Sequence, residues 1–492
     1  MNILVLDVGT SSMRGILYSA EGIELASEHC KYRAEYLENG WVEQDPGDWE
    51  NAMYDILRSI AEKAEGENIR IDCISVTAQR SSVIPVDRSI WPLCRAVMWQ
   101  DKRTAEICRQ LEAKNDRIFQ LCGSVVNPVF SASKMTWIRK ERPDIYEKTY
   151  KFLVIPDFLI YLLTGNLCTD YTYGSRSLLM NIRTNQWDRE LLNIFEVEEE
   201  KLCPLVEPGS ICGYLSKHIS DKTGCPEGIP VITAGGDQQC GTIGQGVVKE
   251  GIMSVTAGTG GFLITAVESV PTDLKANVVC NHSSIKNQYI LESSVLTCCS
   301  AFDWFCRNFC EKNTYEEINA MVEKTPAGSN SVICLPYFQG RSAPDWNNQA
   351  KGLFANITLH TEKADLLRAL LEGICYEIAN GIDNMKEYVN IQRILINGGL
   401  TNSDAFNQIQ CDVYGMDLIR RGKTDATARG ALMVALQTMG VHKTVEEAFE
   451  SIGYAGEERC YSSDSENREN YRKCRETMNK LYADVYAKKM LE

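Results

Sequence analysis

A chain of 492 residues exceeds what one ordinary core supports, because single cores stop growing near ~250–300 residues; two large domains are expected. Its 44% hydrophobic and 24% charged residues describe an ordinary globular protein, and a net charge of −15 with no basic cluster argues against a nucleic-acid surface. Twenty scattered cysteines with no C-x-x-C pair, and five histidines, argue against zinc and for reduced thiols in a cytoplasmic protein, while no signal peptide and no apolar run of ~18 residues is present, so no membrane span is expected.

The first segment, Ile3–Asp7, is apolar and ends in an acid. Gly9-Thr10-Ser11-Ser12 then makes a tight polar turn, Arg14–Ser19 resumes as a strand, and Gly22 turns into a third, Ile23–Ser27, which together predict an antiparallel meander. Backbone N–H groups exposed in a glycine–hydroxyl turn suit phosphate oxygens, and an acid at the strand end suits the hydration shell of Mg²⁺. Ile71–Thr77 and Pro230–Ala234 read as short buried strands. The second runs into Gly235-Gly236-Asp237-Gln238, where a carboxylate at a strand's carboxyl end is placed to take a proton from an attacking hydroxyl. The same aspartate equally suits a helix N-cap.

Half a chain later the opening design recurs. Gly251–Ala257 leads into Gly258-Thr259-Gly260-Gly261, Phe262–Thr265 resumes as a strand, and Thr256 stands at the place of Asp7. This favours duplication, with a boundary near Gly246 between residues 1–246 and residues 247–492. Ala364–Tyr388 predicts a long helix with Leu367, Leu370, Leu371 and Ile374 on one face. Arg393–Asn397 is a strand, and the Gly398-Gly399 turn that follows suits a flat adenine and its ribose. Ser403–Tyr414 and Ala426–Met439 are helices, and the charged helix from Ser465 reads as a solvated cap. Each turn taken singly is as well an ordinary glycine turn. No P-loop, protein-kinase or G-x-S-x-G motif occurs.

Together, Leu6-Asp7-Val8-Gly9-Thr10-Ser11, Trp99–Thr104, Lys134–Ile138, Gly236-Asp237-Gln238, Thr256–Gly260, Leu335-Pro336-Tyr337 with Gly340-Arg341, and Leu371-Glu372-Gly373 resemble, in order and spacing, the FGGY family of carbohydrate kinases within the actin-like ATPase superfamily. The resemblance implies an α/β fold of two ribonuclease-H-like domains, each a mixed five-stranded sheet flanked by helices, around a deep cleft. It implies a cytoplasmic homodimer that uses ATP and Mg²⁺ to phosphorylate a hydroxyl of a small sugar or polyol, such as xylulose or glycerol. By similarity Asp237 is the general base and Asp7 serves the metal; Thr10, Ser11, Ser12 and Arg14 meet the phosphates from one domain, Thr259 and Gly260 from the other. Gly399 and Ser403 line the nucleoside site, and Gln79, Arg80, Ser81, Trp99, Asp101 and Gln238 join Asp237 around the acceptor. Ser81 and Val129 depart from the glycerol-kinase pattern, and Arg80 from that of xylulokinases. Two rival readings keep the phosphate turns: an actin-like ATPase that phosphorylates no small molecule, and an inactive sugar-binding regulator.

Overall fold

The computed structural model describes residues 1–347, 349–422, 425–454 and 456–487. Two mixed sheets organise it. The first contains β1 (Asn2–Val8), β2 (Ser12–Ser19), β3 (Glu24–Lys31), β4 (Cys73–Ala78), β5 (Ile211–Tyr214) and β6 (Pro230–Gly236), in the order β5-β6-β4-β1-β2-β3. The second contains β7 (Ile252–Ala257), β8 (Gly261–Val267), β9 (Val279–His282), β10 (Tyr289–Val295), β11 (Arg393–Asn397), β12 (Leu418–Arg421) and β13 (Glu458–Tyr461), in the order β9-β10-β8-β7-β11-β12-β13. The helices that matter below are α1 (Pro46–Gly66), α2 (Tyr171–Ser175), α3 (Asp237–Gly244), α4 (Cys299–Phe309), α5 (Lys363–Lys386), α6 (Asp404–Tyr414), α7 (Ala426–Thr438) and α8 (Ser465–Tyr482).

The two sheets repeat one plan. A hairpin (β1–β2, β7–β8) runs antiparallel, a third strand extends it antiparallel, and two more strands join the hairpin's first strand in parallel. The five-stranded mixed unit implied by the resemblance is therefore present twice, and antiparallel edge strands extend it: β5 on the first sheet, β9 and β13 on the second. Asp7 pairs with Arg14 one step before the end of its hairpin, and Thr256 pairs with Phe262 at the same step of the other, so Thr256 does occupy the position of Asp7.

Residue alternation explains the layers. Successive side chains of a strand point to opposite faces. In β1, Leu4, Leu6 and Val8 pack with Trp49, Met53, Ile56, Leu57 and Ile60 of α1. Ile3 and Val5 pack on the other face with Ala428, Ala431, Leu432 and Ala435 of α7. The second sheet buries Met253, Val255, Leu263, Ile394 and Ile396 against Leu370, Ile374 and Ile378 of α5. A helix from the end of the chain thus completes the layer on a sheet from its beginning. α3 and α7 meet almost backbone to backbone: an ideal Cβ on Gly430 would lie 1.8 Å from the carbonyl oxygen of Cys240, and one on Gly244 1.9 Å from that of Ala426.

The C-terminal helix corrects one expectation. α8 is not merely a solvated cap; Tyr471, Met478 and Tyr482 are buried along it, spaced seven and four residues apart, and the Tyr471 hydroxyl accepts a 2.7 Å hydrogen bond from the Arg368 guanidinium of α5. Its many charges concealed a narrow apolar stripe of helical period. The cysteines are free thiols, and among the described residues no helix is long and apolar enough to cross a membrane.

Candidate active site

The parallel strands β1, β4 and β6 lie side by side with Asp7 opposite Thr77 and Ala78 opposite Gly236, so their carboxyl ends deliver Asp7, Gln79-Arg80 and Asp237 to one edge of the sheet. Ligands of α/β sheets bind at such edges. The register of β6 slips between Thr233 and Gly235, a bulge that requires φ of +106° at Gly235. The hydroxyls of Thr77 and Tyr173 pin it, donating to the Gly235 carbonyl at 2.8 and 2.9 Å. The bulge re-aims the residues that follow, and the next is Asp237. Gly236, not Asp237, is the N-cap of α3; Asp237 is the first helical residue, and its Oδ1 accepts the Gln238 backbone N–H at 2.8 Å.

Asp237 opens 28% of its side-chain surface onto a cavity of about 380 Å³, a size suited to a small molecule. Thr10, Gln79, Arg80, Ser81, Trp99 and Gln238 also line it, so most of the expected acceptor set is brought together. The hydroxyl of Thr10 accepts from Trp99 Nε1 at 3.2 Å and donates to Gln79 Oε1 at 3.3 Å, fixing the indole against the turn. Burial pushes the Asp237 carboxyl up to about 6, with Arg80 opposing. A carboxylate so placed is ionised at neutral pH yet retains appetite for a proton.

Asp101 departs from expectation. Its carboxylate is 0% exposed and does not line this cavity; it accepts the N–H of Val42 at 2.6 Å and two bonds from the Arg103 guanidinium at 2.9 and 2.8 Å. Arg103 in turn lies over the rings of Trp41 and Trp137, at 4.0 and 4.8 Å. A carboxylate with every acceptor engaged by its own domain has nothing left for a substrate, so Asp101 holds the Trp99 segment in place instead. Two charged side chains that line the cavity escaped the sequence reading: Arg176, just past α2, and Glu292 on β10, which pair directly at 3.4 Å. The signal was a lone acid inside an otherwise buried strand, Tyr289–Val295, because ionised groups are rarely buried unless paired.

The first glycine–hydroxyl turn borders this cavity through Thr10. Asp7 accepts from Arg14 Nη2 at 2.9 Å, and Arg14 Nη1 pairs with Asp425 from the other half. Arg14 lines neither cavity and is committed to these two carboxylates. Burial raises the Asp7 carboxyl above its usual range, with Arg14 opposing. Ser11 is exposed at the turn tip, and the Ser12 carbonyl closes the turn by accepting the Gly9 N–H at 2.9 Å. In the other turn Thr259 is exposed; its carbonyl accepts the Cys298 N–H at 2.9 Å, and a Cβ on Gly260 would lie 2.8 Å from the Val295 carbonyl oxygen. The second cavity, about 210 Å³, is lined by Asn397, Gly398, Gly399, Arg420, Ala426 and Tyr454 among others. Gly398 has φ of +102°, and a Cβ there would stand 2.4 Å from the Ala257 carbonyl oxygen, so the floor of this cavity touches the second glycine turn. Ser403 lies apart: it is buried as the N-cap of α6, accepting from the Phe406 N–H at 3.2 Å and donating to Asn319 at 2.6 Å. Its hydroxyl is taken up by the helix cap and by Asn319, and Ser403 does not line the cavity.

The sequence matches the model of the N-terminal domain of the FGGY family of carbohydrate kinases over residues 2–244, and that of its C-terminal domain over residues 253–439. It is 33% identical over 452 residues to a glycerol kinase of Thermococcus onnurineus, with 90% of each chain covered. It is 26% identical over 486 residues to a xylulose kinase of Bacillus subtilis, covering 98% of this chain and 96% of that one. The crystal structure of ligand-bound xylulose kinase from Lactobacillus acidophilus shares the fold, with a TM-score of 0.92 at 23% identity and 99% of both chains covered.

Proposed function

Because this chain belongs to the FGGY family of carbohydrate kinases, a family of phosphotransferases, we propose that it moves the γ-phosphoryl group of ATP onto a hydroxyl of a small sugar or polyol, with Asp237 as general base. One observation carries the reading: a carboxylate with raised proton affinity faces a cavity of about 380 Å³ beside the first phosphate turn. The acceptor lies against Trp99, within reach of Gln79, Arg80, Ser81 and Gln238. Its hydroxyl oxygen attacks the γ-phosphorus in line, the bond to the bridging oxygen of ADP breaks, and the hydroxyl proton passes to Asp237. Phosphoryl transfer depends chiefly on positioning and charge neutralisation. The nucleoside sits against Gly399 in the cavity of about 210 Å³, residues 247–492 supplying that site and residues 1–246 the acceptor site and base.

Mg²⁺ accepts few carboxylates and keeps several waters. Asp7 fits, since Arg14 takes its Oδ2, and among the described residues Oδ1 accepts no hydrogen bond and no cluster of three or more acidic, histidine or cysteine side chains offers a full cage. When bound there with ATP, the ion would neutralise phosphate charge. Arg14 acts by holding Asp7, and Thr10, Ser11, Ser12, Thr259 and Gly260 contribute turn amides and hydroxyls to the phosphates. Replacing Asp7 with alanine should raise the Mg²⁺ concentration needed for half-maximal rate by roughly tenfold, about 1.4 kcal/mol of lost ion binding; a Mg²⁺ titration unchanged in the variant would refute the role. We place the enzyme in the cytoplasm as a homodimer, in keeping with its unpaired thiols and with the family resemblance.

The acceptor itself is tested by an ATP-coupled screen over glycerol, erythritol, pentuloses, pentitols, hexuloses and aldonates. Ser81 and Val129, both lining the cavity, leave space for an acceptor longer than glycerol, so a pentulose or longer polyol should give the highest kcat/KM. Sugar-independent ATP hydrolysis with no phosphorylated product would support the bare ATPase instead.

A further inference from the structure

We propose that Glu292 is a positioning residue for the proton acceptor: reaching over from the second half, it holds the Arg80 guanidinium off Asp237 and leaves that carboxylate's oxygens open to the incoming hydroxyl. The inference rests on Asp237 as the base.

The geometry is a shared arginine. Arg80 Nη1 donates to Glu292 Oε1 at 3.1 Å and to Gln239 Oε1 at 3.3 Å, whereas Arg80 Nε stands 3.7 Å from Asp237 Oδ1, beyond hydrogen-bond length. The other oxygen of Glu292, Oε2, accepts from Arg176 Nη1 at 3.4 Å. Arg176 is itself constrained: its guanidinium lies over the Phe130 ring at 4.6 Å, and its Nε is buried without a partner among the described residues. Two guanidiniums side by side repel, and burial together with Arg80 pushes Arg176 down to about 10. The carboxylate between them relieves that repulsion. Burial pushes the Glu292 carboxyl up, but Arg80 and Arg176 outweigh it and hold the group below its ordinary value, so it stays ionised with only 16% of its side chain exposed.

Asp237 is faced by Arg80 from the end of β4, Arg176 after α2, Asp7 on β1 with Arg14 and Asp425 behind it, Glu292 on β10 through Arg80, and the Tyr173 hydroxyl of α2. Among these, Arg80 is the cation that two carboxylates compete for. Without charge at Glu292, Arg80 is released to form a forked pair with Asp237, and such charge-assisted pairs are short and strong. Loss of a neighbouring negative charge acts in the same direction. Both changes favour ionised Asp237, making it a poorer proton acceptor.

The test is the near-isosteric Glu292→Gln, assayed with the best acceptor from the screen alongside Asp237→Asn and Glu292→Asp. In Glu292→Gln the acid limb of kcat/KM should shift at least about one pH unit below that of the parent, and kcat at pH 7.5 should fall at least ~10-fold, with KM for ATP unchanged. Glu292→Asp, with its carboxylate drawn back by one methylene, should shift the limb part of the way. A limb that stays in place in Glu292→Gln overturns the proposal, whatever happens to kcat. Should Glu292→Gln fail to fold by circular dichroism, the limb of Glu292→Asp decides by the same criterion. Wild-type turnover in Asp237→Asn would instead sink the assignment of the base.

Discussion

Asp237→Asn should lower kcat by about 10²–10⁴-fold, the usual worth of a general base, while KM for ATP changes little. The amide keeps the shape of the carboxyl and can still accept the Gln238 N–H, so the first turn of α3 remains. What disappears is the acceptor for the hydroxyl proton. The parent enzyme should lose kcat/KM as pH falls through about 6, where Asp237 takes up a proton, and the variant should lose that limb. Stability should move the other way. The folded-state proton affinity of Asp237 lies above that of an unfolded aspartate, so its ionised form opposes folding at neutral pH, and the opposition vanishes once pH drops below the ordinary carboxylate range. Asparagine removes it, and Tm at pH 7 should be equal or higher. A variant with near-normal kcat, or one inactive because it is unfolded, would contradict this.

Gly430→Ala should destabilise the fold by about 3 kcal/mol or more, toward the upper end for overpacking, although it touches no ligand. The added methyl would stand 1.8 Å from the Cys240 carbonyl oxygen, and that atom belongs to the backbone of α3, which no rotamer change can move. α3 carries Asp237 at its first residue, and the Thr427 hydroxyl of α7 donates to the Asp237 carbonyl at 3.4 Å. Forcing the helices apart should therefore lower Tm and, in whatever fraction folds, raise KM for the acceptor. Thermal denaturation equal to the parent's, with unaltered KM, would refute the close-packed crossing. An exposed control such as Gly440→Ala, where a Cβ meets nothing within 4 Å but φ is +75°, should cost only its backbone strain.

Much of the site was legible because its residues are close in sequence to strand ends. Asp7, Thr10, Gln79, Arg80 and Asp237 each follow a short apolar run, and a run that ends in glycine or an acid announces a strand edge where ligands bind. Asp101 and Ser403 were misread since residue type reveals capacity for hydrogen bonds but not whether a neighbour already uses it. Arg103, two residues on, saturates the first, and the first turn of α6 together with Asn319 saturates the second. The buried face of α8 was masked by its charges, because Tyr471, Met478 and Tyr482 recur too sparsely to dominate the composition.

The sequence by itself determined the duplicated strand-turn-strand design, the family, and the two glycine turns and strand-end acid on which the proposed site is built, since these depend on local patterns of apolar, glycine and acidic residues. The tertiary structure alone decided which charged groups share a cavity. Arg80, Arg176 and Glu292 come from segments up to 212 residues apart, and α7 covers a sheet from the opposite end of the chain. Such pairings depend on how two sheets face each other across a cleft, and that relation has no period or spacing along the chain from which it could be read.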